Sequence, residues 1–330
     1  MASDDMRLPA EWEVQRATLL AWPDASGDWA VCLPEIRSEY AILIERILAY
    51  QPVLVVVQDS DQIASLPMVD HPGLNPVVIP HNDTWCRDYG PICLLGSPNR
   101  SFAMDFRFNA WGGKYESEHD NRVNRQLIAH RLLSDFTRVA VDLELEGGAI
   151  ECDGRGHLLV NWSCLHKRLP ELSRSDISER LVGALHVESI LGIEVPGLPG
   201  DDTDGHIDTI ARFADGERIV YQQHRDREWT QTLESQLQSL RRSDGGRFEL
   251  IALPRVESFD RALPANYANF LFINGACLVP SYGVDSDREA IGLLSELLPD
   301  RDVIPVPART MISQFGGPHC ATMHLPEPHL

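Results

Sequence analysis

Short apolar runs alternate with amphipathic stretches along the chain, and each run has the length of a strand. Apolar residues 17–22 and the β-branched run 53–57 predict two buried strands, and residues 38–50 between them have helical spacing. A second β-branched run at 77–79 predicts a third strand. The first part of the chain is therefore predicted to form a strand, a helix and two more strands.

The same alternation of strands, tight turns and single helices continues to the end of the chain. Further strands are predicted at 218–221, 248–253 and 303–306, and helices at 120–133, 228–240 and 290–298. Two hairpins are predicted, one turning at Asp153-Gly154 and the other at Asn274-Gly275. Self-similarity between the units is weak, but their spacing allows an internal repeat.

The composition is that of an acidic globular protein. The chain has 330 residues, 43% of them hydrophobic, and carries 49 Asp+Glu against 29 Lys+Arg, which gives a formal net charge of -20. This length suits one large domain or two. A surface of this charge repels nucleic acid and anionic membranes and attracts small cations. We therefore expect no nucleic-acid or membrane partner.

The chain ends and the cysteines favour a cytoplasmic location. Residues 1–9 contain two aspartates and lack an apolar core, so no secretory signal is predicted, and no apolar run is long enough to span a membrane. The seven cysteines are odd in number and scattered, without a Cys-x-x-Cys pair. This pattern favours reduced thiols over a disulfide framework or a zinc site, and most should be buried.

An acidic loop at 200–208 carries four carboxylates and one imidazole: Asp201, Asp202, Asp204, His206 and Asp208. The apolar residues after it predict a strand, on which His206 and Asp208 would point to the same side. So much negative charge repels itself unless a cation approaches. A metal ion, a guanidinium or ammonium substrate, or solvation of a plain surface loop would each explain it.

Two further stretches combine charged and aromatic residues. Residues 82–91 contain Trp85, Arg87 and Asp88, although an ion pair of Arg87 with a neighbouring acid of the loop and a tryptophan in the core would look the same. Residues 106–115 are aromatic-rich and place Trp111 before Gly112-Gly113, which allow a bend or a close approach of a ligand.

A glutamate and a cysteine stand next to paired glycines. Glu146 precedes Gly147-Gly148, and alone it would be a surface residue. Cys320 follows Gly316, Gly317, a proline and a histidine. The glycines would let a ligand reach the thiol, and a neighbouring imidazole or a bound cation could lower its pKa; otherwise Cys320 is a buried structural cysteine.

Taken together and in this order, these motifs resemble the agmatine deiminase family, the bacterial type of peptidylarginine deiminase, within the guanidino-group-modifying (pentein) superfamily. Each motif alone is weak, but their order is specific. The resemblance spans essentially the whole chain and is carried by residues 9–13, 21–23, 83–91, 108–113, 146–148, 204–208 and 319–320.

The resemblance implies an α/β fold, a five-bladed α/β propeller with pseudo-fivefold symmetry, formed by one catalytic domain over residues 1–330. It also implies a hydrolase without metal or other cofactor, in which Cys320 is the nucleophile and His206 the general acid and base. Asp88 and Asp208 would grip the guanidinium nitrogens, and Glu146 would orient His206 or add negative charge.

The implied partner is a small cationic guanidino substrate. For agmatine the products would be N-carbamoylputrescine and ammonia, which places the reaction in polyamine (putrescine) synthesis. We expect Trp85, Trp111, Asp202 and Gly317 to bind the substrate. A homo-oligomer is compatible with the resemblance.

Two departures from the family pattern concern the substrate rather than the chemistry. Members that act on agmatine commonly have Gly-Gly-Gly-Asn-Ile-His-Cys, whereas residues 314–320 read Gln-Phe-Gly-Gly-Pro-His-Cys, and Cys86 takes a place often held by another apolar residue. The loop at the far end of the substrate is therefore expected to differ, and deimination is better supported than agmatine itself.

Three alternatives remain open. A peptidylarginine deiminase would use the same catalytic residues. A metal-dependent hydrolase could use Asp202, Asp204, His206 and Asp208, but would leave the Cys320 loop unexplained. A propeller kept only for binding would be expected to have lost one of the catalytic residues, and all are present.

Overall fold

Short strands provide the framework of the fold. A computed structural model describes residues 6–96, 100–257 and 262–328. Its strands are β1 Gln15–Ala21, β2 Val53–Val57, β3 Leu74–Val78, β4 Ile92–Leu95, β5 Ser101–Arg107, β6 Phe136–Glu144, β7 Ile150–Cys152, β8 His157–Asn161, β9 Ser189–Ile193, β10 Ala211–Phe213, β11 Arg218–Gln222, β12 Glu249–Leu253, β13 Leu271–Ile273, β14 Ala276–Ser281, β15 Asp302–Pro307 and β16 Thr322–Pro326.

The helices lie in the connections between these strands. They are α1 Leu33–Leu48, α2 Ser60–Ile63, α3 Cys86–Tyr89, α4 Ala110–Gly113, α5 Asp120–Leu127, α6 Trp162–Arg168, α7 Arg174–Leu185, α8 Arg227–Ser239 and α9 Asp285–Leu297. Short 3₁₀ turns occupy Asp28–Cys32, Arg131–Leu133, Gly147–Ala149, Ile207–Thr209 and Met311–Gln314. In these described residues, no helix has the length and apolar character needed to cross a bilayer.

The strands form five separate small sheets with a common plan. In β4-β5-β6, β7-β8-β9, β10-β11-β12 and β13-β14-β15, the first two strands are an antiparallel hairpin and the third runs parallel to the second. A crossover helix, respectively α5, α7, α8 and α9, precedes each third strand. The recurring unit that the sequence spacing allows is therefore present in the topology.

The remaining sheet joins the two ends of the described chain. Its order is β16-β1-β2-β3, in which β16 and β1 are antiparallel and β1, β2 and β3 are parallel. Because β2 is flanked by parallel strands on both sides, all five of its apolar residues are buried. Helix α1 has a proline in its first turn and buries one apolar face that includes Tyr40 and Leu43.

Most elements predicted from the sequence are present, with shifted ends. Both predicted hairpins form, and the helix expected at 38–50 begins earlier, at Leu33. The helix expected at 120–133 ends at Leu127 and is followed by a 3₁₀ turn. The prediction that His206 and Asp208 lie on a strand is wrong. His206 immediately precedes the 3₁₀ turn Ile207–Thr209, Asp208 lies within it, and strand β10 begins only at Ala211.

Candidate active site

One short segment of each of the five units leads to the same buried centre. Each segment immediately precedes the first strand of its unit in the sheets described above. The side chains that these segments contribute are Asp88 before β4, Glu146 before β7, His206 and Asp208 before β10, Asn269 before β13 and Cys320 before β16. Residues far apart in sequence therefore meet because they hold the same place in the repeated unit.

His206 lies between two carboxylates. Its Nδ1 is 3.6 Å from Oδ1 of Asp88, and its Nε2 is 3.5 Å from Oε2 of Glu146. The ring is fully buried, and neither nitrogen has a hydrogen-bond partner among the described residues. Burial lowers the pKa of His206, but the negative charge of Asp88 and the neighbouring Glu146 and Cys164 raise it well above its usual value. The two neighbouring carboxylates therefore favour the protonated form of the imidazole.

Asp88 is held by a tryptophan and a backbone amide. Trp111 Nε1 donates to its Oδ2 at 2.9 Å, and Gly148 N donates to its Oδ1 at 3.1 Å. Ala110 and Trp111 place that indole with left-handed φ values of 50° and 55°, a conformation that is costly for residues with side chains. Burial raises the pKa of Asp88 to about 6, although His206 opposes the shift.

Cys320 faces the second carboxylate of the centre. Its Sγ is 3.5 Å from Oδ2 of Asp208 and accepts a hydrogen bond from Asn269 Nδ2 at 3.1 Å. The thiol is 5% exposed, and burial together with the charges of Asp208 and Asp88 raises its pKa well above the usual value. Burial also acts to raise the pKa of Asp208, but the hydrogen bond from His319 and the positive charges of His319, His206 and Arg212 together outweigh it, and the net pKa is lowered.

A buried network of charges supports Asp208 and Cys320 from behind. His319 bonds through Nδ1 to Asp208 and through Nε2 to Glu11, both at 2.8 Å. Glu11 also accepts from Arg87 at 2.8 Å and from Arg212 at 3.1 Å. Two cationic guanidinium groups thus share one carboxylate, and its pKa is well below the usual value despite burial. Arg87 forms an ion pair, but its partner is the distant Glu11 and not a neighbouring acid of its own loop.

Because Gly148 has no side chain, His206, Asp88 and Asp208 can approach one another beside it. A Cβ at this position would lie 2.5 Å from Nδ1 of His206, 2.9 Å from Oδ1 of Asp88 and 3.2 Å from Oδ2 of Asp208. Any side chain here would push the three functional groups apart. The glycine is therefore required by close packing of the site.

A pocket of about 240 Å³ leads from the surface to Cys320 and Asp88. Its walls are aromatic and its mouth is acidic, with Trp85, Trp111, Tyr115, Phe315, Gly316, Asp28, Asp83 and Asp202 among the lining residues. Burial raises the pKa of Asp83 to about 7. The pocket thus offers apolar surface along its length and carboxylates at both ends, which suits a slender molecule with a cation at each end.

The four residues expected to bind substrate have different positions. Trp85 and Trp111 line the pocket, and Asp202 lies at its mouth. Gly317 lies beside Cys320 and packs against Asn269, where a Cβ would come within 2.6 Å of Oδ1, whereas the pocket wall is formed by Gly316. Gly316 therefore lines the pocket, whereas the adjacent Gly317 packs against Asn269 behind the loop that carries Cys320.

The acidic loop finds its cations within the chain. Lys167 and Arg168 bind Asp204 at 2.7 and 2.8 Å, and Lys114 bridges Asp204 and Asp202 at 3.2 and 3.1 Å. Tyr115 also donates to Asp202 at 2.7 Å. The loop therefore does not depend on a metal ion or substrate to relieve its repulsion, and Asp202 and Thr203 of the loop line the pocket.

The geometry does not support the metal centre considered from sequence. Asp202, Asp204, His206 and Asp208 do not converge, because the first two face lysine and arginine side chains and Asp208 faces His319. Within the described ranges, the one group with ligand atoms close enough for an ion is Glu146, Cys164 and His206.

Sequence inspection missed the residues that support the reacting groups. Asn269 donates to both Cys320 and Asp208, and its Oδ1 accepts from the backbone amides of His319 and Cys320. The signal was its position before the first strand of a unit, which the other site residues share. Arg168 was also missed; its Nε donates to Glu146 Oε1 at 2.5 Å.

The chain matches known proteins over its whole length. A family model described as Porphyromonas-type peptidyl-arginine deiminase matches residues 7–326. The agmatine deiminase of Pseudomonas aeruginosa (strain LESB58) is 28% identical over 359 residues, which cover 99% of this chain and 97% of that protein.

Solved structures agree with this match. A C. jejuni agmatine deiminase carrying a cysteine-to-serine change, with substrate bound, has a TM-score of 0.91 and 31% identity and covers 100% of this chain and 99% of its own. A Porphyromonas gingivalis protein with the provisional name arginine deiminase has a TM-score of 0.89 and 39% identity, covering 98% of both chains.

Proposed function

The chain belongs to the Porphyromonas-type peptidyl-arginine deiminase family, and within that family we propose that it is an agmatine deiminase. In this reaction, water hydrolyses the guanidinium group of agmatine to give N-carbamoylputrescine and ammonia. The P. aeruginosa and C. jejuni relatives carry this name. The observation that carries the proposal is a pocket that reaches the thiol of Cys320 and the carboxylate of Asp88, next to which lie the imidazole of His206 and the carboxylates of Asp208 and Glu146.

Asp88 and Asp208 are proposed to grip the guanidinium. The group is planar and cationic, and its N–H donors match carboxylates. Oδ1 of Asp208 is buried without a hydrogen-bond partner among the described residues, so it can accept from the substrate. Asp88 already has Trp111 as a fixed donor, which leaves its orientation settled before the substrate binds.

Cys320 is proposed to attack the guanidinium carbon. The raised pKa of Cys320 favours the protonated thiol in the free protein. An incoming cation would offset the nearby carboxylates and favour the thiolate, whose proton passes to solvent and is regained when the product leaves. The sulfur–carbon bond forms, one carbon–nitrogen bond breaks, and His206 gives its proton to the leaving ammonia. His206 then takes a proton from water, which attacks the thiouronium adduct and releases the ureido product and Cys320. Glu146 keeps the imidazole charged and oriented.

The pocket mouth favours an amine over a carboxylate at the far end of the substrate. Asp28 carries a carboxylate there, Asp202 carries another that is paired with Lys114, and Asp83, whose pKa is raised to about 7, adds a partly ionised one. The terminal ammonium of agmatine would meet negative charge at the mouth. The α-carboxylate of free arginine would be repelled.

The arrangement of the units and the cellular setting are parts of the same proposal. The five recurring units and the site segment that each provides support a five-bladed α/β propeller formed by one domain over residues 1–330. A cytoplasmic location is supported by the seven cysteines, which are all free thiols. A homo-oligomer stays a prediction.

The test is a comparison of agmatine, free arginine and an arginyl peptide, with ureido product and ammonia measured for native protein and Cys320→Ala, with and without EDTA. We expect turnover of agmatine that EDTA leaves unchanged and that Cys320→Ala loses. Reaction of the peptide alone would move the substrate to protein arginine. Activity lost to EDTA, or no activity on any substrate, would overturn the proposal.

A further inference from the structure

Cys164 contacts the centre, although the proposed reaction does not use it. It lies on α6, is fully buried, and its Sγ is 3.6 Å from the carbonyl oxygen of Thr203. One ligand atom from each of Glu146, Cys164 and His206 lies within 4.8 Å of the other two. A thiol, an imidazole and a carboxylate therefore face a common point.

The oxygen and nitrogen atoms that this group offers are free to bind an ion, and among the described residues outside the group the Cys164 thiol makes only the long contact with the carbonyl oxygen of Thr203. Arg168 binds Oε1 of Glu146, while Oε2 and both ring nitrogens of His206 are buried without a hydrogen-bond partner among the described residues. Oε2 and Nε2 are 3.5 Å apart. A tetrahedral Zn²⁺ ion about 2.0–2.2 Å from each would hold them roughly 3.3–3.6 Å apart, so this pair needs little rearrangement.

We propose that Glu146, Cys164 and His206 form a binding site for a divalent transition-metal ion of the Zn²⁺ class, and that this ion inhibits the enzyme. Sulfur, nitrogen and carboxylate oxygen are the ligands that Zn²⁺ takes, and three protein ligands leave a fourth position for water. On binding, the Cys164 thiol and the protonated imidazole of His206 each release a proton to solvent, and the sulfur and the freed ring nitrogen bond to the ion. The oxidation states do not change.

The inhibition rests on the proposed function, whereas the binding does not. A ring nitrogen of His206 that is bonded to an ion cannot carry the proton that the reaction moves. The ion and the guanidinium group are both cations that use the same negative charge, so agmatine should protect against inhibition. Mg²⁺ and Ca²⁺ should be inert, because they prefer oxygen ligands and the site offers one carboxylate.

The binding is tested with Co²⁺ as the probe, by thiolate-to-cobalt charge-transfer absorption. The starting protein is Cys320→Ser, which removes the nucleophile as a competing ligand. We expect one Co²⁺ per chain with this absorption, and Zn²⁺ should displace it. Adding Cys164→Ala or Cys164→Val should abolish the absorption, and the valine keeps the buried volume filled. Adding Cys32→Ala, at a partly exposed cysteine on the 3₁₀ turn before α1, should not.

Persistence of the absorption in folded Cys164→Ala and Cys164→Val proteins, or its absence from the starting protein, would overturn the site. In activity assays normalised to each variant's own rate, the Zn²⁺ concentration for half-inhibition should rise at least about tenfold in the Cys164 variants. Equal inhibition of native and variant enzymes would refute the inference and leave the proposed function standing. Cobalt binding through Cys164 in a protein without deiminase activity would refute the proposed function and leave the metal site standing.

Discussion

Substitution of Gly148 by alanine tests whether the convergence of the site depends on a missing side chain. Ordinary contacts of a Cβ begin near 3.4 Å, and the added carbon would lie 2.5 Å from Nδ1 of His206. The imidazole would therefore have to retreat by about 0.9 Å, the difference of these two distances. Gly148 does not have a left-handed φ, so alanine suits the backbone and the effect is confined to the site.

A displacement of this size should lower kcat by roughly 100-fold, since misplacing a reacting group by about 1 Å costs that much. This equals about 2.7 kcal/mol in the activation free energy. Asp88 and Asp208 need to move less, because the added carbon would lie 2.9 and 3.2 Å from them. The assay is steady-state ureido formation from agmatine, with circular dichroism to show that the variant is folded.

Gly292→Ala is the matched control. Gly292 is an exposed residue within α9, and a Cβ there meets no heavy atom within 4 Å. We expect unchanged kcat and a gain of about 0.5–1 kcal/mol in the free energy of unfolding. If Gly148→Ala stays within about threefold of the native kcat, the structure's account of how the three groups converge is wrong.

Three further predictions address other parts of the site. Burial raises the pKa of Asp88 to about 6, and the substrate's guanidinium group needs the ionised form of this carboxylate. We therefore expect kcat/KM for agmatine to fall about tenfold per pH unit below pH 6, and a profile that is flat down to about pH 4 would contradict this. Glu11→Gln leaves two buried arginines without their shared carboxylate and should cost about 3–5 kcal/mol in urea unfolding, whereas a loss under about 1 kcal/mol would show that the network is dispensable. Asn269→Ala removes the donor to Cys320 and Asp208 and should lower kcat/KM about 10- to 100-fold while the protein stays folded; unchanged kcat/KM would exclude a positioning role.

The residues proposed to react could be picked out from the sequence because each stands in a distinctive local motif. Cys320, His206 and Asp88 are brought to one centre, as the family resemblance implied. Their positions follow a topological rule, since each lies just before the first strand of a unit. Asn269 obeys the same rule, but an asparagine before a buried strand is too common to stand out.

The compensation of charge could not be predicted, because it depends on contacts between distant segments. Asp204 is paired with Lys114 and Arg168, which are 90 and 36 residues away along the chain. The local pattern shows only the repulsion, and therefore left a metal ion, a cationic substrate and a solvated loop as open explanations. The strand expected at His206 was wrong for a related reason: apolar side chains there are buried beneath a 3₁₀ turn rather than along a ladder.

The central claim is that Cys320 becomes covalently bonded to the substrate carbon. The most direct measurement is rapid acid quench of the native enzyme during agmatine turnover, followed by proteolysis and mass spectrometry of the peptide that contains Cys320. The account predicts an adduct on Cys320 with the mass of agmatine less one ammonia. Ureido product formed at the native rate by Cys320→Ala, or an adduct found on another residue, would contradict it.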